Sequence, residues 1–577
     1  MVRAPMNAPL LTLVAALGAA PAPQASTLEA LREEAAAVVR LQTVLDWYTQ
    51  TVGEPSIRVL VYRGHERLYS AASLEVVDRA LKRKDLDPDE RRALQFFKSY
   101  LASEALALAA AKFDDEAANA ALKAEVTLPW EKGKVPYKQL EVLLKTEQDA
   151  QRRAVVEKAQ TNVWRDVLNP ILARKEDETQ KLAKKLGYRS YVALAEEARM
   201  ASLKELLADG NRFMESTDAL YQPLLVDLAK KELGMEAAQL RRADMVRMRN
   251  APRFQKYFPK ELMRPAFEYF LQGLGLDLKT AAGTTITIDD AQHPLKEPRA
   301  ACFSVHVPDD IRVAVKPSDG VQDFATFFHE GGHALHFANS TIGRWELTYL
   351  GPNALTEAWA EVFGKAWGDP HWLRRYRDFV GKYNAQHKTR IPTMSDTEIL
   401  ELSRIGSFSD FYFLRRYAYA KLIYESVLHG GDPAIWAGVY KGPTNDPMAV
   451  YQDVFSRAYG FPLTADDAQR FRTDVDDTFY AADYARAFGL ADLVHEAFRK
   501  KLGGASGDWF GNPAVGVELK RLWAGGQKWL PDEVAQQFGE PKLTFGPSAD
   551  RARRLLGQSM PGAPAPGSPA PQGTTGH

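Results

Sequence analysis

The chain has almost no cysteine, no net charge and no long apolar run. Among its 577 residues only Cys302 is a cysteine, so no internal disulfide can form. Lys and Arg together number 74, as do Asp and Glu, and this balance predicts no general affinity for nucleic acid or anionic membranes. No segment reaches about eighteen uninterrupted apolar residues, so we expect no stable membrane insertion. Disulfide-stapled, membrane-spanning and polyanion-binding classes are therefore excluded.

The chain does contain enough apolar sequence for a large core. Its length favours two or three lobes, and 45% of its residues are hydrophobic. From about residue 27 to residue 274, apolar residues recur at steps of three and four, which is typical of helices, and Gly187 and Gly234 are placed to end two of them. Residues 284–316 hold three short β-branched segments instead, with a turn at Pro308 between the last two. We therefore predict a mostly α fold with a small antiparallel β-sheet.

The two ends of the chain differ from the rest. Arg3, an apolar run over residues 10–20 and the small residues after it are typical of a secretory signal peptide, with cleavage near Ala25. We expect residues 1–25 to be this signal and the protein to be periplasmic or secreted; if the segment is only an alanine-rich tail, the protein is cytoplasmic. Nine of the seventeen residues from 561 to 577 are Pro or Gly, so we predict a disordered tail over residues 558–577.

One short stretch, FATFFHEGGHALHFAN over residues 324–339, gathers three of the chain's 11 histidines. On a helix His329 and His333 are one turn apart on the same face, with Glu330 beside them. This HExxH spacing lets two imidazoles bind Zn²⁺ while the carboxylate takes the proton of a zinc-bound water. The simpler interpretation is a pair of structural histidines, but buried imidazoles without a metal or partners are costly. We predict one Zn²⁺ per chain, with Glu330 as general base.

The same helix contains two features that need an explanation. Gly331 and Gly332 each cost a helix interior about 1 kcal/mol relative to alanine, and we expect them to let another segment approach closely. Asp319 precedes the helix and is predicted to be its N-cap, with Gln322 three residues later. His336 lies two turns from His329, so we expect it to pack or hydrogen-bond instead of binding the metal.

A third protein ligand is needed for the zinc. Between His333 and Gly364 the carboxylates are Glu346, Glu357 and Glu361, and NALTEAWAEVFGKAWG predicts a second helix on which Glu357 and Glu361 share one face. We predict that Glu357, 24 residues after His333, is the ligand and that Glu361 accepts the outer N–H of His329. The alternative is that both glutamates only solvate this helix.

The start of this second helix also carries a prediction. Asn353 or Thr356 is expected to cap it, because short polar side chains are preferred there.

The segments HEGGHALH and LTEAWAEVFG resemble those of the gluzincin metallopeptidases, particularly the thimet-oligopeptidase and oligoendopeptidase families, with the angiotensin-converting-enzyme family next. The oligopeptidases have HEFGHALH, so Gly331 replaces a Phe, while the spacing from His333 to Glu357 matches the converting-enzyme pattern. The resemblance covers about residues 130–557. It implies two helical lobes around a deep substrate cleft, with an N-terminal lobe over residues 26–280, a zinc-peptidase lobe over residues 281–557, and hydrolysis of short peptides.

Further site residues follow from the resemblance alone. In these families an edge strand before the zinc helix pairs with the substrate backbone, which implies that role for Ala301, Cys302 and Phe303. Tyrosines of a late helix stabilise the oxyanion, which implies Tyr484 and also Tyr480. The histidine that these families have shortly upstream of the tyrosines is missing here.

Three functions remain open from the sequence. The leading one is a zinc-dependent oligopeptidase. A second function keeps the zinc but hydrolyses a non-peptide amide, and the missing histidine is its only support. A catalytically silent peptide-binding protein on the same scaffold is a third, although Glu330 would then have no chemical purpose.

Overall fold

The structure, a computed structural model, describes residues 27–53, 58–292, 296–297 and 299–559. The predicted signal peptide and nearly all of the predicted Pro/Gly-rich tail lie outside these residues. The helices and strands before the main sheet are α1 (Leu28–Val52), α2 (Arg58–Val61), α3 (Ala71–Leu81), α4 (Pro88–Lys123), β1 (Glu125–Thr127), β2 (Lys134–Pro136), α5 (Leu140–Thr146), α6 (Ala150–Val163), α7 (Asn169–Lys185), α8 (Tyr191–Arg199), α9 (Leu203–Leu228), α10 (Arg242–Arg249) and α11 (Met263–Gly273).

The chain then forms its main sheet and returns to helices. These elements are β3 (Thr287–Asp289), β4 (Ala301–His306), β5 (Asp310–Ala314), α12 (Val321–Ala338), α13 (Trp345–Tyr349), α14 (Asn353–Gly364), α15 (Pro370–His387), α16 (Asp396–Arg415), α17 (Leu422–Leu428), α18 (Pro447–Tyr459), α19 (Ala465–Ala468), α20 (Tyr480–Leu502), α21 (Ala514–Trp523), α22 (Pro531–Gln537) and α23 (Gly546–Ser559).

The mostly helical fold predicted from periodicity is confirmed. Gly187 and Gly234 follow helical segments with positive φ angles of 94° and 68°, as helix-ending glycines do. The sequence analysis missed the small antiparallel pair of β1 and β2, in which Val126 lies opposite Val135. Each of these strands has only three residues, too few for an alternating pattern to stand out against the helical background.

The main sheet has the strand order β3-β5-β4, so β4 is an edge strand. β4 and β5 form the expected antiparallel hairpin, with Cys302 opposite Val313. The prediction of an antiparallel sheet is wrong for β3, which runs parallel to β5, with Ile288 opposite Val313. The β-branched pattern that predicts a strand carries no information about its direction. Here the segment between β3 and β5, which includes β4, is the long connection that a parallel pair requires.

The predicted cap of α12 is also wrong. The N-cap is Gly320, with a φ of 119° and no side-chain hydrogen bond to the helix. Asp319 instead accepts a hydrogen bond from the backbone N–H of Lys260 at 2.9 Å, because the chain turns at Gly320 before the helix begins. The carboxylate therefore ties α12 to the segment that leads into α11.

One large apolar core extends from Leu31 in α1 to Leu556 in α23. Within it α14 packs against both α12 and α20. Aromatic rings cover the buried side of α12: Phe328 lies 4.9 Å from Trp367 and 4.9 Å from Phe267 between ring centroids. This packing holds α12, the helix with the histidine motif, against α14. In the described part of the chain, no helix is both long and apolar enough to cross a membrane.

Candidate metal and catalytic site

Two packed helices bring together the three side chains predicted as metal ligands. His329 and His333 lie one turn apart on α12, and Glu357 projects from α14 between them. Glu357 Oε2 is 3.4 Å from His329 Nε2 and 3.7 Å from His333 Nε2. One ligand atom from each of the three residues lies within 4.8 Å of the other two. The helical repeat provides the histidine pair, and the contact between α12 and α14 provides the carboxylate.

The geometry of these atoms fits a tetrahedral zinc site. Ligand atoms at normal Zn–N and Zn–O distances lie about 3.4 Å apart along a tetrahedron edge. Glu357 Oε2 is buried and has no hydrogen-bond partner of its own. An unsatisfied buried carboxylate oxygen is costly, and a metal ion held between it and the two Nε2 atoms would satisfy it. The donor set is therefore suitable for Zn²⁺.

The outer nitrogens of both histidines contact oxygen atoms of α14. Glu361 Oε1 lies 3.3 Å from His329 Nδ1, which is the contact predicted from the sequence. Thr356 Oγ1 lies 2.8 Å from His333 Nδ1. Such partners orient an imidazole and leave its Nε2 to face the ligand position.

Thr356 is therefore not the helix cap that the sequence suggested. α14 begins at Asn353, its N-cap is Pro352, and no side chain caps it. Thr356 lies one turn inside, and its hydroxyl is also 3.4 Å from Nδ1 of His336. The sequence held one signal for the contact with His333: Thr356 directly precedes Glu357, and this position puts its hydroxyl on the side of α14 that faces α12.

His336 lies away from the three ligand atoms and is fully buried. Its Nε2 is 3.1 Å from the carbonyl oxygen of Gly526 and donates to it. It thus packs and hydrogen-bonds, as expected.

The pKa shifts of His329, His333 and Glu357 favour a positive charge between these side chains. Burial alone would raise the pKa of Glu357, but its close contact with His329 and the charge of the two nearby imidazoles lower it to about 2. Burial works against a charge on His329, yet its contacts with Glu357 and Glu361 hold its pKa well above the usual value. Burial lowers the pKa of His333 to about 3, which keeps that ring neutral and able to act as a ligand.

Glu330 lies beside the ligands and next to the edge strand β4. Burial raises the pKa of Glu330; His329 opposes this most strongly, Glu357 adds to it, and Arg299 and the backbone of Cys302 oppose it more weakly. A raised pKa makes a carboxylate a better proton acceptor near neutral pH. Glu330 is not among the three clustered ligand residues.

The residues predicted to contact substrate lie along the same edge. Ala301, Cys302 and Phe303 all belong to β4, whose only paired neighbour among the described strands is β5. The other edge of β4 therefore has no strand beside it among the described residues. Phe303 is buried and its ring packs edge-on against Trp47 of α1 at 5.4 Å, so its side chain supports the sheet.

The two predicted tyrosines at the start of α20 have different surroundings. Tyr480 donates a hydrogen bond from its hydroxyl to Glu357 Oε1 at 2.8 Å. Tyr484 stacks on Tyr417 with ring centroids 5.0 Å apart, and burial raises the pKa of its hydroxyl, which therefore stays protonated. Tyr480 thus holds Glu357, the predicted carboxylate ligand, and Tyr484 remains the candidate for the oxyanion.

The two glycines of the motif lie where α12 meets its neighbours. A Cβ added at Gly332 would lie 2.7 Å from the Cα of Ala360 and 2.7 Å from the carbonyl oxygen of Trp359, both in the backbone of α14. A Cβ at Gly331 would meet the ring of Phe267 at 2.1 Å. The expected close approach is confirmed, and at Gly332 the approaching segment is the helix that carries Glu357.

Two cavities adjoin the site from different sides. A cavity of about 440 Å³ is lined by His329, Glu330 and Glu361, and one of about 850 Å³ is lined by Glu357 and Tyr480. Tyr484 and Arg299 line both.

The histidines nearest in sequence to Tyr480 and Tyr484 are His429 and His495. His429 and His495 line neither cavity. His495 donates from Nε2 to the carbonyl oxygen of Val362 at 2.8 Å. The sequence contained no signal for Arg299, which lies at both cavities.

Compared with known proteins, the chain matches no protein-family model and no curated protein.

Proposed function

We propose that the protein is a zinc-dependent metallopeptidase that hydrolyses short peptides. The observation that carries the proposal is the unsatisfied Oε2 of Glu357, which faces the Nε2 atoms of His329 and His333 at 3.4 and 3.7 Å. His329, His333 and Glu357 would hold one zinc ion per chain. When bound, zinc supplies a Lewis acid that polarises a carbonyl and lowers the pKa of water to about 7.

The chain's own residues would perform the proton transfers. Glu330 has a raised pKa and lies outside the ligand cluster, so it is suited to take a proton from the attacking water and return it to the leaving amine. Tyr484, with a protonated hydroxyl at both cavities, is placed to donate to the oxyanion that develops on the substrate carbonyl. Tyr480 and Glu361 would keep the ligands in place.

A peptide fits this site because β4 offers an unpaired strand edge next to Glu330. An extended peptide can add to such an edge through backbone hydrogen bonds, which recognise the main chain regardless of its side chains. We further propose that the two cavities belong to one substrate cleft between an N-terminal lobe and a zinc-peptidase lobe. Cavities of this size would admit short peptides and exclude folded proteins.

The test separates metal binding from catalysis. Glu330→Gln keeps the side-chain shape and removes the base, so the protein should retain zinc while peptide hydrolysis falls by about 10²–10⁴. Glu357→Gln should lose zinc affinity, and Glu518→Gln, which alters only a surface pair with Arg521, should change neither. Metal analysis and cleavage of a mixed peptide library, with and without a chelator, give the readout.

Two outcomes would contradict the proposal. Near wild-type hydrolysis by Glu330→Gln would show that Glu330 is not the general base. Full zinc occupancy in Glu357→Gln would show that Glu357 is not the third ligand. Chelator-sensitive hydrolysis of simple amides without any cleavage of peptides would instead identify a non-peptide amidase.

A further inference from the structure

The cavity that adjoins the catalytic side of the site contains an unexpected positive charge. One part of its wall is formed by His329 and Glu330, and another part by Arg249, the last residue of α10. The volume, about 440 Å³, lies in the range of pockets that hold small ligands. A substrate that enters this cavity from the metal site can therefore meet the guanidinium group.

Arg249 has no carboxylate partner among the described residues. Its guanidinium lies over the rings of Phe413 and Tyr412, with the central carbon 4.1 and 4.6 Å from the ring centroids. Its Nε is buried without a hydrogen-bond partner, and burial lowers the pKa of the side chain. Stacking on two rings orients the guanidinium but leaves its planar donor edge unsatisfied. Arg249 is only partly buried, and because its Nε is unpaired, a ligand that reaches the guanidinium from the cavity would supply hydrogen bonds that the fold does not.

The other cations that line this cavity differ from Arg249. Lys365 is paired with Asp492 at 2.8 Å and is 3.5 Å from Asp410, so its charge is already compensated. Arg299 is exposed to solvent and borders both cavities. Among the described cations that line this cavity, only Arg249 combines a partly buried side chain with the lack of an anionic partner.

We propose that Arg249 binds a carboxylate of the peptide substrate and thereby selects peptides that carry one within a few residues of the cleaved bond. This inference rests on the proposed peptidase function. The guanidinium fork matches a carboxylate in size and can donate two parallel hydrogen bonds to it. Two kinds of carboxylate in a peptide could bind Arg249 in this way: the C-terminal carboxylate and the side chain of an Asp or Glu residue.

Binding in this way would fix where the peptide is cut. One end of the bound segment would be held at Arg249 and its scissile carbonyl would lie at Glu330, so the cavity between them sets the number of residues released. A charged hydrogen bond of this kind corresponds to a preference of about 10- to 100-fold over the uncharged analogue.

The experiment measures kcat/KM for matched peptides with the zinc-loaded enzyme. One arm compares N-acetylated peptides with a free or an amidated C-terminus, and the other compares Glu with Gln at positions near the cleaved bond. The wild type should prefer the free carboxylate in one of the two arms. Arg249→Met, which has similar length and no charge, should lose that preference mainly through KM, and Arg249→Lys should keep part of it.

Thermal unfolding distinguishes recognition from a structural role. Removing a partly buried charge that has no anionic partner should leave the Tm of Arg249→Met unchanged or raised, whereas an arginine that held the fold together would lower the Tm when replaced. Arg264→Gln, which alters a surface pair with Glu268, is the control and should keep the carboxylate preference. Arg299→Met removes the other cation at this cavity that is unpaired among the described residues, and tests whether that residue, instead of Arg249, sets the preference.

A separate binding experiment tests this inference independently of whether the protein hydrolyses peptides. The same peptides are titrated calorimetrically into zinc-loaded Glu330→Gln protein, with and without Arg249→Met, so that no cleavage is required. A carboxylate preference that disappears with Arg249 supports the inference even if no peptide is hydrolysed. The inference is overturned if neither hydrolysis nor binding shows a preference for the carboxylate, if Arg249→Met retains the preference, or if only Arg299→Met abolishes it.

Discussion

Replacing Gly332 by alanine tests whether close contact between α12 and α14 forms the metal site. The new methyl group would point into the backbone of α14, 2.7 Å from the Cα of Ala360 and from the carbonyl oxygen of Trp359. Carbon atoms in good contact lie about 3.5–4.0 Å apart, so the two helices must separate by about 1 Å. Backbone atoms cannot turn aside as the end of a flexible side chain can.

Two opposing effects set the size of the change in stability. Alanine in place of glycine stabilises a helix by about 1 kcal/mol, while overpacking a tight core costs about 1–3 kcal/mol. We therefore expect Gly332→Ala to lower the free energy of unfolding by up to about 2 kcal/mol. The effect on metal binding should be larger, because zinc sites tolerate only about 0.2 Å in their ligand distances and Glu357 lies on the displaced helix.

Gly381→Ala is the matched control. Gly381 also lies inside a helix, α15, but an added Cβ there has nothing within 4 Å. This variant should gain about 1 kcal/mol and bind zinc as the wild type does. Chemical denaturation of the metal-free proteins measures stability, and competition with a chromophoric chelator measures zinc affinity. If Gly332→Ala were as stabilised as Gly381→Ala and kept its zinc affinity, the role of the helix contact would be refuted.

The remaining predictions concern the groups around the ligands. Tyr484→Phe should keep its zinc and lower kcat by about 10²–10³, because an oxyanion donor acts only in the transition state; an unchanged kcat would assign this tyrosine to packing. Tyr480→Phe should instead weaken zinc binding by about 10- to 100-fold in a competition assay, since Glu357 loses its hydrogen bond at 2.8 Å. Thr356→Val should also weaken zinc binding because His333 loses its partner, whereas Thr356→Ser should restore it; equal affinities for the two variants would contradict this.

The sequence by itself determined the centre of the site, because a helix repeats every 3.6 residues. That repeat places His329 and His333 on one face whatever surrounds the helix, and it likewise places Glu357 and Glu361 one turn apart. Burial was also predictable, since the aromatic residues around the motif could only be inside. The glycines indicated a close approach, although the sequence could not say that α14 was the helix that approached.

Only the tertiary structure decided the contacts between distant segments. It placed the hydroxyl of Tyr480 on Glu357 and brought Arg249, from α10, to the wall of a cavity beside Glu330. It also turned Thr356 from an expected cap into the partner of His333 and ran β3 parallel to β5. Such contacts depend on how whole helices and strands pack, and a local pattern of residues records which face is buried but not what will lie against it.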